Sequence, residues 1–276
     1  MRELKSGAKM MQFSLTLGIL CAIFLFTSFK TFEKAKTSGT KNTIKIVVID
    51  AGHGGHDPGC QYGGTKEKDV TLAIALKLGK IIKQKYKDVK VIYTRDTDVF
   101  VELVERTAIA NRNKANVFIS IHCNANPKTT VFGTETYTMG LHKTDGNLEV
   151  AKRENAVVLL EDNYNDNYDG FDPNSPEGNI IFTLYQNAFV SQSLHLASII
   201  EKEVKTKAER TDRGVKQAGF LVLWKTAMPS VLVETGFLSN TTERKYLTSP
   251  AGQTQLATGI YDAFKKYKDE MEATSE

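Results

Sequence analysis

IKIVVID, residues 44–50, runs directly into AGHGGHDPGCQYGGTKEK, residues 51–68. The first piece is short, apolar without alternation, and ends in an acid. That is the pattern of a strand covered on both faces, as in a parallel sheet. The second is too rich in glycine to be anything but a loop, and it carries two histidines, His53 and His56.

Working outward, Asp69 is a suitable N-cap for a helix through VTLAIALKLGKIIKQKY, where Leu72, Ile74, Ala75, Leu78 and Ile81 recur at helical spacing. VKVIYT (89–94) predicts a second strand, 100–114 a second helix, and ANVFISIH (115–122) a third buried strand. This alternation predicts a single α/β domain with a mostly parallel twisted sheet flanked by helices. Further on, GTETYTM (133–139) alternates as a strand does, 148–163 has helical spacing, and 187–208 reads as an amphipathic helix. FLVLW (220–224) and SVLVE (230–234) read as strands, and a last helix spans about 251–271. The segment 163–179 is dense in Asn, Asp, Gly and Pro and belongs to an insertion at about 141–186 near the ends of the strands.

The ends of three predicted strands carry groups able to bind or activate something: His53, His122 and Glu234. In an open parallel sheet those ends share one edge, where ligands bind. Zinc suits such nitrogen and oxygen donors, and a catalytic zinc keeps three protein ligands and a fourth position for water. Glu67 could be the third ligand, folded back by the glycine loop, leaving Glu234 as general base. The spacing alone is weak evidence, since no compact zinc signature is present. A lone histidine at a strand end is more often a hydrogen-bonded surface group. Nucleotide binding is disfavoured, because the glycine spacing does not fit G-x-G-x-x-G and Pro58 interrupts any immediate helix.

The formal charge is +4, and three of those charges come from residues 1–30, so the folded part offers no basic patch for nucleic acid. A basic leader precedes the uncharged run Phe13–Phe29, the pattern of an export signal or an uncleaved N-terminal membrane anchor. The run ends without a clean cleavage site, and Leu20 before Cys21 argues against a lipidated cysteine. Residues 31–42 read as a flexible tether, and 43–273 as the catalytic domain. The expected location is the periplasm or cell envelope. Cys60 and Cys123 are two small side chains that an oxidising compartment could pair.

Six segments taken together, IVVIDAGHGGHDPG, EKDVTLAIALKL, YTRDTD, ERTAIANRNKANVFISIHCNAN, GTETY and MPSVLVETGFLSNTTE, resemble the zinc-dependent N-acetylmuramoyl-L-alanine amidase family. The match spans about 44–271. The resemblance implies one zinc (Zn2+) per chain held by His53, Glu67 and His122, with Glu234 as the catalytic carboxylate. It implies hydrolysis of the amide between the lactyl group of N-acetylmuramic acid and L-alanine in peptidoglycan. Asn124 and His56 are candidate substrate contacts, and Arg95 and Arg106 are expected to be structural, pairing carboxylates.

Some relatives carry an extra helix that occludes the zinc until a protein activator displaces it. In the insertion here, Glu154, Glu161, Asp162 and Asp166 are candidates for such an inhibitory ligand. A solvated surface insertion shaping the glycan groove is the alternative. A zinc carboxypeptidase would need a dedicated arginine beside the metal. A non-catalytic wall-binding protein would have no need of Glu234. A monomer is the expected state.

Overall fold

The computed structural model describes residues 43–162, 167–168 and 188–273. The expected signal or anchor, the tether, Asp166 and most of the Asn/Asp-rich loop lie outside the described residues. Among the described residues no helix is long and apolar enough to cross a membrane.

β1 (Ile46–Ala51) leads through the glycine loop and a small hairpin, β2 (Gln61–Tyr62) and β3 (Thr65–Lys66), straight into α1 (Glu67–Lys85). The helix therefore begins two residues before the expected cap. Asp69 sits in its first turn, Lys66 is the N-cap, and Glu67 is helical rather than the end of a loop. Then follow β4 (Lys90–Tyr93), α2 (Leu103–Arg112), β5 (Val117–Asn124) and β6 (Thr134–Met139). The first part of the insertion is α3 (Asp145–Asn155), which continues as a 3₁₀ helix over Ala156–Leu160. α4 (Val190–Ala208), β7 (Asp212–Ala218), β8 (Ser230–Phe237), α5 (Thr241–Thr248) and α6 (Pro250–Ala273) complete the order. FLVLW, expected as a strand, contains instead a 3₁₀ helix at Leu221–Leu223. Its apolar side chains fill a gap beside α2, so their burial needs no ladder. A short apolar run does not distinguish these outcomes by pattern alone.

The main sheet has the order β4-β1-β5-β8-β6-β7. β4, β1, β5 and β8 are mutually parallel, and β6 runs antiparallel to β8 while pairing in parallel with β7. The expectation of a mostly parallel sheet flanked by helices holds, with one reversal. That reversal matters, because it brings the start of β6 to the edge where β1, β5 and β8 end.

Side chains alternate across the sheet. Val47, Ile49, Ile119, Ile121, Val231 and Val233 face a core shared with α1, α4 and α6. Val48, Phe118, Tyr137 and Leu232 face a second core under α2, α3 and the 3₁₀ segments. Every residue of β5 and of β8 is buried, which explains why their sequences read as continuous apolar runs. By the same alternation His122 and Glu234 project to the face of Phe118 and Leu232, the α2–α3 side. They are also direct partners in the β5–β8 register.

Candidate metal and catalytic site

The histidine loop is held from behind. Gly54 and Asp57 exchange backbone hydrogen bonds of 2.9 and 3.0 Å, closing a tight turn. His53 adopts φ 62°, a left-handed conformation costly for a residue with a Cβ. Arg106 fixes it there, donating from Nη2 to His53 O at 2.8 Å, from Nη1 to Ala51 O at 2.8 Å and to Asp50 Oδ1 at 2.9 Å. Asp50 also accepts from Thr94 and Ser120. Burial alone would raise its carboxyl, but Arg106 and the two hydroxyls outweigh that and hold it below its ordinary value.

Arg106 thus pairs a carboxylate as expected. Arg95 does not. Its guanidinium donates to the carbonyls of Ala51, Gly52, Thr97 and Lys68. Ala51, Gly52 and Lys68 lie at the end of β1, in the loop and in the first turn of α1, and Thr97 follows β4, so Arg95 ties these segments together through their carbonyls. Both arginines are spent on the scaffold, so neither supplies the carboxylate-binding group a carboxypeptidase would need.

Four donors converge on one point: His53 Nε2, His122 Nδ1, Glu67 Oε1 and Glu154 Oε2. Nε2 of His53 lies 3.1 Å from Glu67 and 3.2 Å from Glu154. Nδ1 of His122 lies 3.2 Å from Glu67 and 3.0 Å from Glu154. A tetrahedral zinc with bonds of roughly 2.0–2.1 Å has donor–donor edges of about 3.3 Å, close to these separations. His53 Nε2, His122 Nδ1 and Glu154 Oε2 are buried without a hydrogen-bond partner. Orphaned polar atoms aimed at a common point imply a missing partner. Two buried carboxylates beside two imidazoles are also matched in charge by a divalent cation. The residues fit zinc.

The electrostatics agree. Burial opposes charge on both rings, yet Glu67 outweighs it at His53, which is raised well above the usual imidazole range. At His122 Glu154 does the same, and the ring is pushed up to about 9. Glu67 is lowered despite complete burial, chiefly by His53. It also accepts the Cys60 and Cys123 N–H groups at 2.9 Å each and stands at the positive end of α1. His53 Nδ1 contacts Asp57 Oδ2 at 2.7 Å, a carboxylate placed to fix the tautomer and the orientation of the ring.

Glu234 lies beside this group, fully buried, with neither oxygen hydrogen-bonded. Burial pushes its carboxyl well above the ordinary range, and Glu154 pushes it further. Arg153 Nη2 is 3.5 Å away. A carboxyl raised by burial is suited to exchanging protons near neutral pH.

Of the insertion candidates among the described residues, only Glu154 reaches the cluster. Glu161 is turned to the start of α2, accepting from Leu103 N at 2.7 Å and Tyr168 OH at 2.7 Å. Asp162 is exposed. Asn124 is buried at the end of β5, with Nδ2 donating to Glu135 at 3.1 Å. His56 is exposed and stacks on Phe100, ring centroids 4.0 Å apart. Cys60 and Cys123 are free thiols. Burial pushes both up, and Glu67 adds to it, so neither is a ready thiolate.

Arg153, Glu135 and Asp57 escaped the sequence reading. Asp57 had a legible signal, four residues from His53 in the same loop. Arg153 and Glu135 had none, since their importance comes from the docking of α3 and the β6–β8 register. With α3 in place, a cleft of about 330 Å3 opens between the histidine loop and Leu159–Leu160. On the other side of the donors the free space is about 10 Å3, no more than one water needs.

The family described as N-acetylmuramoyl-L-alanine amidase matches residues 47–266. The amidase AmiA of Escherichia coli K12 is 34% identical over 239 residues, covering 85% of this chain and 78% of that protein. The catalytic domain of the amidase CwlV from Bacillus (Paenibacillus) polymyxa var. colistinus superposes with a TM-score of 0.61 at 32% identity, covering 82% of this chain and 98% of that one. The CwlD amidase of Clostridioides difficile, solved in complex with the GerS lipoprotein, gives 0.61 at 28% identity, with 82% and 99% covered.

Proposed function

The chain belongs to the N-acetylmuramoyl-L-alanine amidase family, and from that premise we propose that it cuts the lactyl–L-alanine amide of peptidoglycan by a zinc mechanism that Glu154 holds in check. The observation that supports this is the convergence of His53, Glu67, His122 and Glu154 within 4.8 Å of one another, with Glu234 beside them.

His53, Glu67 and His122 are the resident ligands, since the histidine loop, α1 and β5 position them rigidly. When bound, zinc activates water near neutral pH and polarises the amide carbonyl. Glu234 takes a proton from the attacking water and passes it to the leaving amine. Its burial keeps the basicity that this return requires. Asp57 holds His53 in the tautomer that leaves Nε2 free to bind metal.

Glu154 fills the position that a catalytic zinc keeps for water and substrate. It comes from α3, the one site element that belongs to the insertion rather than to the sheet edge. On this reading the described form is closed, and a protein partner that lifts α3 away would open it. The lipoprotein bound to the CwlD amidase supports a partner of that kind. The N-terminal stretch 13–29 supports export to the cell envelope, as a cleaved signal or as an anchor.

The test is a digest of purified peptidoglycan by the chain and by Glu154→Ala, Glu234→Ala and their combination, with zinc measured on each sample. The reading requires about one zinc per chain, release of peptides with N-terminal L-alanine by Glu154→Ala, and loss of that release when Glu234 is removed. Bound zinc with no release from Glu154→Ala would reject the assigned reaction.

A further inference from the structure

Arg153 occupies a place in the site that its neighbour Glu154 does not require. Nη2 lies 2.9 Å from Glu154 Oε1, 3.1 Å from Asn124 Oδ1 and 3.5 Å from Glu234 Oε1. Nε donates to Glu154 Oε1 at 2.9 Å, and Nη1 to Ala125 O at 3.2 Å. One donor nitrogen thus stands between the carboxyl that handles protons and the side-chain oxygen of Asn124.

That oxygen is fixed in direction. Asn124 is 1% exposed. Its Oδ1 accepts from Ala125 N at 2.7 Å, and its Nδ2 donates to Glu135 Oε2 at 3.1 Å. Exchanging the amide's oxygen and nitrogen would set donors against donors at Ala125 and Arg153 and an acceptor against a carboxylate, so the assignment is unambiguous. Glu135 is in turn held by Tyr137 Oη at 2.8 Å and by Arg213 Nε and Lys216 Nζ, each at 2.6 Å. It is the register partner of Glu234 across β6 and β8. The acceptor and the proton carrier are therefore set by the same stretch of sheet.

We propose that Asn124 is a catalytic residue whose Oδ1 accepts the N–H of the scissile amide, and that Arg153 Nη2 stands in for that nitrogen while α3 covers the site. The inference rests on the amidase reading above. A secondary amide nitrogen carries one hydrogen. With that hydrogen on Asn124, the lone pair that appears as water adds to the carbonyl turns away from Asn124 and towards Glu234. The proton taken from water by Glu234 then passes to this nitrogen, the C–N bond breaks, and the products are a carboxylic acid and an amine. Glu135 is a positioning residue: it never meets substrate and acts by aiming the Asn124 amide.

The test uses the full chain carrying Glu154→Ala, loaded with zinc, and two substrates: an N-acetylmuramoyl peptide and its analogue methylated on the scissile nitrogen. A site built around a substrate N–H leaves its acceptor unpaired with an analogue lacking it, and we expect up to about a hundredfold preference for the unmethylated substrate. Asn124→Leu lowers kcat/KM for the unmethylated substrate by about 10–100-fold and leaves the methylated one within about threefold, so the preference collapses. Glu135→Gln reduces the preference in part, a change that loss of fold alone would not produce. On the non-hydrolysing Glu154→Ala, Glu234→Gln chain, calorimetry shows Asn124→Leu weakening the unmethylated ligand by about 5–10-fold and the methylated one not at all. Should Asn124→Leu fail to fold, Asn124→Ala carries the same expectations. Equal losses on both substrates, or a preference that survives Asn124 removal, overturns this inference alone. No release from either substrate or from purified wall removes the amidase reading, and this inference with it.

Discussion

Glu154 Oε2 lies 3.0 Å from His122 Nδ1, although one side chain comes from the insertion and the other from the central strand of the sheet. On the proposed reading, a carboxylate so placed would compete with water and substrate for a bound metal. Glu154→Ala should raise kcat/KM on purified wall at least about tenfold, the effect of removing roughly 1.4 kcal/mol of closed-state preference, with zinc content unchanged. Dye release from labelled wall, with metal analysis of the same sample, reads both. Unchanged activity with full zinc would show that Glu154 is not the block.

Asp57 tests the support behind the metal rather than the metal itself. Its 2.7 Å contact to His53 Nδ1 fixes the ring that carries Nε2 to the donor cluster. Asp57→Ala should weaken zinc binding by about 10–100-fold, measured by competition with a chromophoric chelator. Full affinity in the variant would mean that the left-handed loop alone holds the ring.

Gly52 is a steric counterpart. A Cβ there would stand 2.4 Å from His122 Cε1 and 2.5 Å from its Nε2, closer than atoms pack, so Gly52→Ala must turn the ring. The expected outcome is loss of stoichiometric zinc with the far-ultraviolet circular dichroism preserved. Retention of about one zinc per chain would show that the ring can slide aside without leaving the ligand set.

How much of this was legible in the sequence depends on what each feature is made of. The parallel half of the sheet was readable because β1, β5 and β8 are buried on both faces and say so in continuous apolar residues. His53, His122 and Glu234 were readable because each follows a continuous apolar run, although β5 and β8 extend beyond His122 and Glu234 to Asn124 and Phe237. Glu154 emerged as one of four acids, and nothing in its spacing separated it from Glu161. The choice was made by docking: Glu161 is consumed by the N-terminus of α2, while Glu154 reaches the rings. The reversal of β6 was illegible, because an alternating strand does not state its direction. With it went Glu135, whose meaning lies in facing Glu234 across the ladder. The Leu221–Leu223 turn was misread because apolar residues fill a gap equally well from a strand or from a tight helix.

Arg106 should be the costliest scaffold residue to lose. It is fully buried, pairs Asp50 at 2.9 Å, and holds three backbone carbonyls, those of Ala51, His53 and Val101. Removing one partner strands the other charge in the interior, which typically costs about 3–5 kcal/mol. Arg106→Met should lower the unfolding free energy by about that amount in denaturant titration. Arg106→Met combined with Asp50→Leu should lose less than the sum of the two, since no charge is then left alone. Additive losses would show that the carbonyls, not Asp50, carry the effect.

Glu201 should make stability depend on pH, away from the donor cluster. It is buried between α4 and β6, where Thr136 and Thr134 donate to its two oxygens at 2.5 and 3.1 Å. Burial pushes its carboxyl up to about 8, and Asp212 adds to the rise, against the lowering effect of the two threonines. The folded value thus lies above the unfolded one, near about 4.3, so the native state prefers the protonated acid. The associated stability is fully present below the unfolded value. It is lost as pH rises towards about 8 and is constant beyond it, at no more than about 1.4 kcal/mol per pH unit. Glu201→Gln keeps the shape and an acceptor for a threonine but does not titrate. Denaturant titrations of both proteins at about pH 5 and about pH 8.5 should show the variant gaining on the wild type by a few kcal/mol as pH rises. A constant difference across that range would mean that Glu201 ionises freely in the fold, with the hydroxyls of Thr134 and Thr136 stabilising the anion enough to cancel its burial.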